Sequence, residues 1–333
     1  MMSSIPLMLF TGNANPDLAL GIANHLGLTL GRSVVGQFAD GEVRVRFDDD
    51  VRNKDVFIVQ STSQPDRNRT ELELMVRAIR SSAARITVVV PYLGYARQDR
   101  KTVAREPISI VQVLRNLISS GIDGLVLQDL HAGQLMAVGE AIDPRLRVDH
   151  IYSRPVFLDW LDGQDLSNAI VTSVDAGGAK MVESYWTRLR LMGKPVNFGI
   201  AHKSGSSSIG IEGIRLLGDF EGRHVFFIDD MVTSGRSATE GAAEAKRRGA
   251  TAVTFIAGHA VLANAEVAHR IATSAIDRFV VTNTIAIKPE DRQVLGDKLV
   301  EIGVDRLLGL VIQHLHEGRS VSALFELDGY RAG

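Results

Sequence analysis

Val225-Phe226-Phe227-Ile228-Asp229-Asp230-Met231-Val232-Thr233-Ser234-Gly235-Arg236-Ser237 is the stretch that decides how this chain is read. Its opening apolar run suits a strand buried on both faces, as in a covered parallel sheet. The run ends in two carboxylates and then in a turn carrying hydroxyls and a glycine. Residues 238–248 follow with Glu240 early, Lys246-Arg247-Arg248 late and Gly249 beyond them, a charge order that suits a helix dipole and its C-terminal stop. A hydroxyl turn opening onto a helix N-terminus presents backbone N–H groups to an anion. Two carboxylates beside an anion site call for a neutral, hydroxylated neighbour. A phosphorylated ribose meets both demands: its 2- and 3-hydroxyls donate to Asp229 and Asp230, and its 5-phosphate sits in Thr233, Ser234, Gly235, Arg236 and Ser237. The competing reading makes the Asp pair a cap for the turn and the hydroxyls N-cap groups. It leaves the conjunction of pair and loop without a reason.

The same alternation extends in both directions. Val56-Phe57-Ile58-Val59, Ile86-Thr87-Val88-Val89-Val90, Leu125-Val126-Leu127, Ala169-Ile170-Val171, Ala252-Val253-Thr254-Phe255-Ile256 and Phe279-Val280-Val281 read as further buried strands. Between them, residues 71–84 set Leu72, Met75, Val76 and Ile79 on one helical face. Strand-helix alternation of this kind predicts a doubly wound α/β architecture. With 333 residues there is room for two such domains, and residues 142–155, rich in charge and proline, read as the boundary. Ser204-Gly205-Ser206-Ser207-Ser208 cannot pack and reads as a mobile segment.

Composition narrows the function classes. A net charge of −2 leaves no electrostatic footprint for nucleic acid or an anionic membrane, so phosphates must be held by local donors. The absence of cysteine excludes disulfides, thiolate nucleophiles and zinc-cysteine sites. No apolar stretch approaches the roughly 18 residues of a membrane span. Residues 1–10 lack a basic n-region, so a cleaved signal is not expected and the cytoplasm is the expected compartment. No G-x-x-x-x-G-K-[ST] loop and no strand-borne G-x-G-x-x-G occurs, which sets aside Walker-type NTPases and dinucleotide enzymes.

The first half carries its own polar segments. Phe38-Ala39-Asp40-Gly41-Glu42 precedes the alternating Val43-Arg44-Val45-Arg46-Phe47. Pro91-Tyr92-Leu93-Gly94-Tyr95-Ala96-Arg97-Gln98-Asp99-Arg100-Lys101 follows one strand, and Asp129-Leu130-His131-Ala132 follows another. Together with Ser61-Thr62, residues 82–87, Thr282-Asn283-Thr284 and His316-Glu317-Gly318, these closely resemble the characteristic segments of ribose-phosphate pyrophosphokinases, in order, from about residue 8 to residue 325. The loop at 229–237 resembles the phosphoribosyl-binding motif of type I phosphoribosyltransferases, whose fold that family shares.

The resemblance implies two similar domains of that fold, over residues 1–148 and 149–310, with the active site between them at the strand C-terminal ends. It implies that residues 311–333 pack back on the first domain. Phe38, Asp40 and Glu42 would hold the adenine of ATP from a neighbouring subunit. Arg97, Gln98 and Arg100 would bind the ATP phosphates, Arg97 through its guanidinium fork. His131 and Asp175 would hold magnesium, although a histidine is atypical for a cation that prefers oxygen. Taken alone, His131 reads more readily as a structural hydrogen-bonder, while the position of residues 97–101 directly after a buried strand argues against a merely solvated charge run. The implied reaction is pyrophosphoryl transfer from ATP to the 1-hydroxyl of ribose 5-phosphate. The implied assembly is at least a homodimer, with a hexamer expected.

The chain departs from the family where the family's loop carries Asp-Lys-Arg-Arg. Here the sequence is Ile200-Ala201-His202-Lys203-Ser204-Gly205-Ser206. Counting back from Asp229 puts Lys203 on the catalytic lysine; matching the preceding strand puts His202 there. Either way the arginine is missing, and Arg215 and Arg236 are the candidate substitutes. The phosphate loop reads Thr-Ser-Gly-Arg-Ser in place of an acidic start, and Val174 replaces a proline. Two function classes therefore stay open: an active enzyme, or a catalytically weak paralogue regulating a true synthetase by co-assembly.

Overall fold

The computed structural model describes residues 5–204 and 213–332, and for residues 202–204 and 213 the backbone alone. Residues 205–208 of the Ser-rich segment lie outside the described residues. The chain divides into two compact units. The first comprises the chain up to Ser153, Thr284–Ala286 and the chain from Gly303 onward; the second comprises Arg154–Asn283 and Ile287–Ile302.

In the first unit β1 (Leu7–Thr11) leads to α1 (Pro16–His25), where Asn15 Oδ1 accepts the Leu18 N–H at 3.3 Å and Pro16 opens the helix. A side hairpin follows, β2 (Ser33–Gln37) against β3 (Val43–Phe47), antiparallel with Gln37 opposite Val43. Then come β4 (Asp55–Val59), α2 (Arg67–Ile79), β5 (Arg85–Val90), α3 (Ser109–Ser119), β6 (Gly124–Gln128), α4 (Leu135–Ile142) and β7 (Arg147–Ile151). The sheet order is β1-β4-β5-β6-β7 with every pairing parallel. β4 and β6 are buried at every position, as continuous apolar runs require, and α2 buries the Leu72, Met75, Val76 and Ile79 face. β7 completes this sheet, so the chain leaves the unit at Ser153 rather than at the expected boundary of 148.

The second unit opens with α5 (Arg154–Asp162), β8 (Ala169–Thr172), α6 (Ala179–Leu191) and the short β9 (Asn197–Phe198). Its own side hairpin is β10 (Ile200–Ser204) against β11 (Gly213–Leu217). β12 (His224–Val232), α7 (Arg236–Arg247), β13 (Ala252–Ala260), α8 (Ala265–Ala272), β14 (Arg278–Thr282), α9 (Pro289–Leu295) and β15 (Leu299–Ile302) follow. The parallel order is β15-β14-β13-β12-β8-β9, which puts β12 inside the sheet between β13 and β8. Phe227, Phe255 and Phe279 are buried in the core of this unit, each burial worth roughly 1.5–3 kcal/mol.

The last helices, α10 (Asp305–His316) and α11 (Leu327–Ala332), belong to the first unit, where α10 packs on α1. Buried Asp55 fastens that return: Arg85 Nε donates to Asp55 Oδ1 at 2.7 Å, His316 Nδ1 lies 2.7 Å from Oδ2, and Arg85 Nη2 donates to the Leu315 carbonyl at 3.2 Å. No described helix is long and apolar enough to cross a membrane.

Candidate active site

The second unit brings the residues expected on the ribose side to the carboxyl ends of two paired strands. β12 holds Asp229 opposite Ala257 and then runs out into Thr233-Ser234-Gly235. Gly235 takes φ +70° at the start of α7, and a Cβ there would lie 3.2 Å from Val267 Cγ1. Only glycine adopts that backbone without strain. The loop's carbonyls are tied down: Thr233 accepts the Ala263 N–H at 3.0 Å, and Ser234 accepts Arg270 Nη1 at 2.5 Å. Ser234 Oγ accepts the Arg236 N–H at 3.4 Å. The first N–H groups of α7 open on the same turn, where an anion would also meet the positive end of the dipole. Arg236 is exposed and reaches Glu240 only at 4.0 Å; Ser237 is half-buried.

Asp229 and Asp230 are both half-buried, and the Asp230 N–H donates to Asp229 Oδ1 at 3.0 Å. Burial, and after it the charge of Asp230, push the Asp229 carboxyl well above the usual aspartate range; Asp175 adds in the same direction. Asp175 stands in the turn after β8, the strand beside β12. Its backbone is set by Ser173 Oγ donating to the Asp175 carbonyl at 2.6 Å, and its Oδ1 accepts the Gly178 N–H at 3.2 Å. Asp175 remains exposed.

Among the described residues no three His, Asp or Glu side chains converge as a closed metal site. Magnesium rarely needs one: it keeps waters and takes one or two carboxylates plus substrate phosphates. Asp175 and Asp230 both act electrostatically on Asp229, and carboxylate oxygens of this kind are the donors a hard divalent cation takes, without a closed site among them.

On the side hairpin, Lys203 pairs with buried Ile214 and His202 with exposed Arg215. The side chains of His202 and Lys203 are outside what the structure describes.

In the first unit, three loops carry the remaining candidates. At the tip of the β2–β3 hairpin, the Phe38 N–H donates to the Glu42 carbonyl at 2.8 Å and the Gly41 N–H to the Phe38 carbonyl at 2.9 Å, with Gly41 at φ +93°. The Glu42 N–H donates to Asp40 Oδ1 at 3.1 Å. Phe38 is 52% exposed, an unusual position for an aromatic ring, with the Arg44 guanidinium 5.7 Å from its centroid.

After β5, Gly94 passes so close to Thr62 that a Cβ would stand 2.3 Å from the Thr62 carbonyl oxygen. Tyr95 takes φ +65°, and its hydroxyl donates to Asp66 at 2.9 Å. Arg97, Gln98 and Arg100 follow, all exposed, with Gln98 Oε1 accepting Ser109 Oγ at 2.6 Å. After β6, Asp129 takes φ +42° and accepts the Ser153 N–H at 2.9 Å, while the Leu130 N–H donates to His150 Nε2 at 3.0 Å. Burial pushes His150 down, which keeps its Nε2 an acceptor. His131 is presented exposed on that loop. β5 and β6 are neighbours, so the Arg97 and His131 loops leave the same sheet edge.

His131 belongs to the first unit and Asp175 to the second. The supporting residues Asp66, His150 and Ser153 were not singled out from sequence, and Thr62 only as part of the Ser61-Thr62 resemblance, without a role. They lie 20 to 32 positions from the groups they hold, and no local spacing signals them.

Two family models match the chain: the N-terminal domain of ribose phosphate pyrophosphokinase over residues 7–121, and the phosphoribosyl synthetase-associated domain over residues 208–326. The ribose-phosphate pyrophosphokinase of Ralstonia nicotianae is 38% identical over 329 residues, spanning 97% of this chain and 99% of that protein. That of Pasteurella multocida is 38% identical over 326 residues, spanning 96% and 99%. Among solved structures, the phosphoribosylpyrophosphate synthetase from Mycobacterium smegmatis superposes with a TM-score of 0.83 at 31% identity, covering 94% of this chain and 99% of that one.

Proposed function

Since this chain belongs to the ribose-phosphate pyrophosphokinase family, its reaction is pyrophosphoryl transfer from ATP to ribose 5-phosphate, and we propose how its own residues divide the work. The observation that carries the division is the run from buried strand to carboxylate pair to glycine turn at 225–237.

Thr233, Ser234, Gly235, Arg236 and Ser237 receive the 5-phosphate, largely through backbone N–H groups and hydroxyls. Asp229 and Asp230 accept the ribose 2- and 3-hydroxyls. Those donors favour the ionised carboxylates and so offset the burial and repulsion that raise Asp229. Phe38 stacks on the adenine while Asp40 and Glu42 take its exocyclic amine, and Arg97, Gln98 and Arg100 hold the phosphate chain. The ribose 1-oxygen forms a bond to the β-phosphorus, the bond from that phosphorus to the α–β bridging oxygen breaks, and AMP leaves with the electron pair. The proton of the 1-hydroxyl is released, and no covalent enzyme intermediate forms. Lys203 or His202 on β10 supplies positive charge to the transferring group. Magnesium, when bound, would neutralise phosphate charge, with His131 and Asp175 as the residues that would hold it. Phe38 serves a neighbour's ATP in this reading, so the working form is a homodimer or a hexamer built from it, acting in the cytoplasm.

The test is to incubate the protein with ATP, ribose 5-phosphate and magnesium, following AMP and phosphoribosyl pyrophosphate together, with Lys203→Ala alongside. Stoichiometric formation of both products, largely lost in the variant, is the expected result and assigns the lysine. Absence of product while both substrates bind would overturn the catalytic assignment and favour a co-assembling regulator.

A further inference from the structure

The adenine loop has a feature that its own residues do not explain. Its tip backs onto a cavity of about 530 Å³, lined on the hairpin side by Gln37, Gly41 and Glu42 and on the other by Pro65, Arg67 and Thr70. A loop facing open space has little side-chain packing to fix it, so polar contacts must set its shape. One chain of contacts spans the gap. Gln37 Nε2 donates to the Gly41 carbonyl at 2.8 Å, and Arg67 Nη1 donates to Gln37 Oε1 at 2.8 Å. Arg67 Nε in turn faces Glu71 Oε1 at 3.4 Å.

Glu71 is a firm anchor. It is fully buried and accepts the Asn13 N–H at 3.1 Å, Asn13 Nδ2 at 3.0 Å and Gln60 Nε2 at 3.1 Å. Asn13 Nδ2 also donates to the Val35 carbonyl at 3.0 Å, so the same carboxylate ties the hairpin at a second point. The orientation of the Gln37 amide follows from its two partners. Its oxygen must meet the guanidinium and its nitrogen the carbonyl, since the reverse would face donor with donor and acceptor with acceptor.

We propose that Gln37, held by Arg67 on the buried Glu71, is a positioning residue for ATP: it clips the Gly41 carbonyl and so fixes the turn that presents Phe38, Asp40 and Glu42 to the nucleobase. The proposal rests on the reading of those three residues as the adenine site. Its consequence is confined to one substrate. Loosening the clip widens the range of loop shapes in the free protein, and ATP binding must narrow it again.

Gln37→Glu isolates the clip. A carboxylate there still accepts from Arg67 but has no proton to donate to the Gly41 carbonyl, and the position is exposed, so folding is not at stake. In homogeneous preparations, Gln37→Glu and Gln37→Ala are each expected to raise KM for ATP by about three- to fivefold, as for one net hydrogen bond at a solvated site. KM for ribose 5-phosphate, kcat and the melting temperature should stay unchanged, and the preference for ATP over GTP should fall. Phe38→Ala runs as the control on the underlying reading. If Phe38→Ala raises KM for ATP while both Gln37 variants match the parent, the clip is overturned and the adenine site stands. If Phe38→Ala has no effect either, the adenine assignment fails and the clip with it.

Discussion

Residues 233–237 run from the end of a nine-residue strand inside a six-stranded sheet into the first turn of a twelve-residue helix, whereas residues 38–42 tip a hairpin whose two strands pair with each other. The ribose-side turn is shaped by backbone: a glycine at φ +70°, carbonyls bound at Thr233 and Ser234, and a helix that begins on the next residue. The adenine-side turn also has a left-handed glycine, Gly41 at φ +93°, and backbone hydrogen bonds between Phe38, Gly41 and Glu42. It leans on exposed side chains as well, Asp40 on the Glu42 N–H and Gln37 on the Gly41 carbonyl, above a cavity. A site made of backbone should fail when one Cβ is added and tolerate changes in exposed side chains. A turn that also leans on exposed side chains should respond to changes in them.

The largest effect is expected from Gly235→Val. An L-residue held in the left-handed region costs roughly 1–2 kcal/mol, and a β-branched one more, with Val267 already 3.2 Å from the added carbon. The turn should shift, raising KM for ribose 5-phosphate by roughly thirtyfold for about 2 kcal/mol and leaving KM for ATP near the parent value. Steady-state kinetics with each substrate varied in turn checks both halves. An equal rise in both constants would show that the two sites are not shaped independently.

Phe38→Ala comes next. Base–aromatic stacking is worth roughly 1–3 kcal/mol, so KM for ATP should rise about tenfold. Because the ring is 52% exposed, its removal should leave the melting temperature within error. A lower melting temperature would mean that the ring is structural, and the contrast between the turns would lose its adenine half.

A third test uses pH. Asp229 has its folded pKa raised above the unfolded value of about 3.9, first by burial and then by Asp230. The stability this confers is fully present below the unfolded pKa and is lost as pH rises through the folded one. Asp229→Asn cannot ionise, so its melting temperature relative to the parent should climb as pH is raised from 4 to 8, even as activity falls. Magnesium with ribose 5-phosphate should shrink that difference by stabilising the ionised pair of the parent. A difference that is flat with pH would put the carboxylate in a less constrained setting than the strand end implies.

Much of this was legible in the sequence because its periods are local. Continuous apolar runs gave β4, β5, β6, β12 and β13, and the helix after Gly235 was written in its charge order. The hairpin at 33–47 was half visible, through the alternation of Val43, Val45 and Phe47. What escaped depends on contacts distant along the chain. The Asp55–His316 contact spans 261 positions, and no local spacing marks the pair, even though His316 lies in a segment the resemblance named. Gln37 and Arg67 are 30 apart and unremarkable in composition; they acquire a role only because α2 passes beneath the hairpin tip. β7 was also hidden: with Arg147 and Asp149 among its five residues, it does not read as a buried strand.

The smallest effect is expected at Arg236, and it sharpens the comparison most. This arginine sits in the first turn of α7, where the dipole disfavours a cation, and its ion pair with Glu240 is long at 4.0 Å and solvated. Its removal should therefore change stability by less than about 0.5 kcal/mol, with either sign open to the balance of dipole and pair. In the proposed 5-phosphate site it would add a screened charge to groups that are otherwise N–H donors and hydroxyls. Arg236→Ala should raise KM for ribose 5-phosphate only about two- to threefold at low salt, and the gap from the parent should close as ionic strength approaches 1 M, where the screening length is about 3 Å. A loss as large as that of Gly235→Val, persisting in high salt, would instead mark Arg236 as the replacement for the arginine missing from the segment after Lys203. The ribose side would then depend on a side chain as much as the adenine side does.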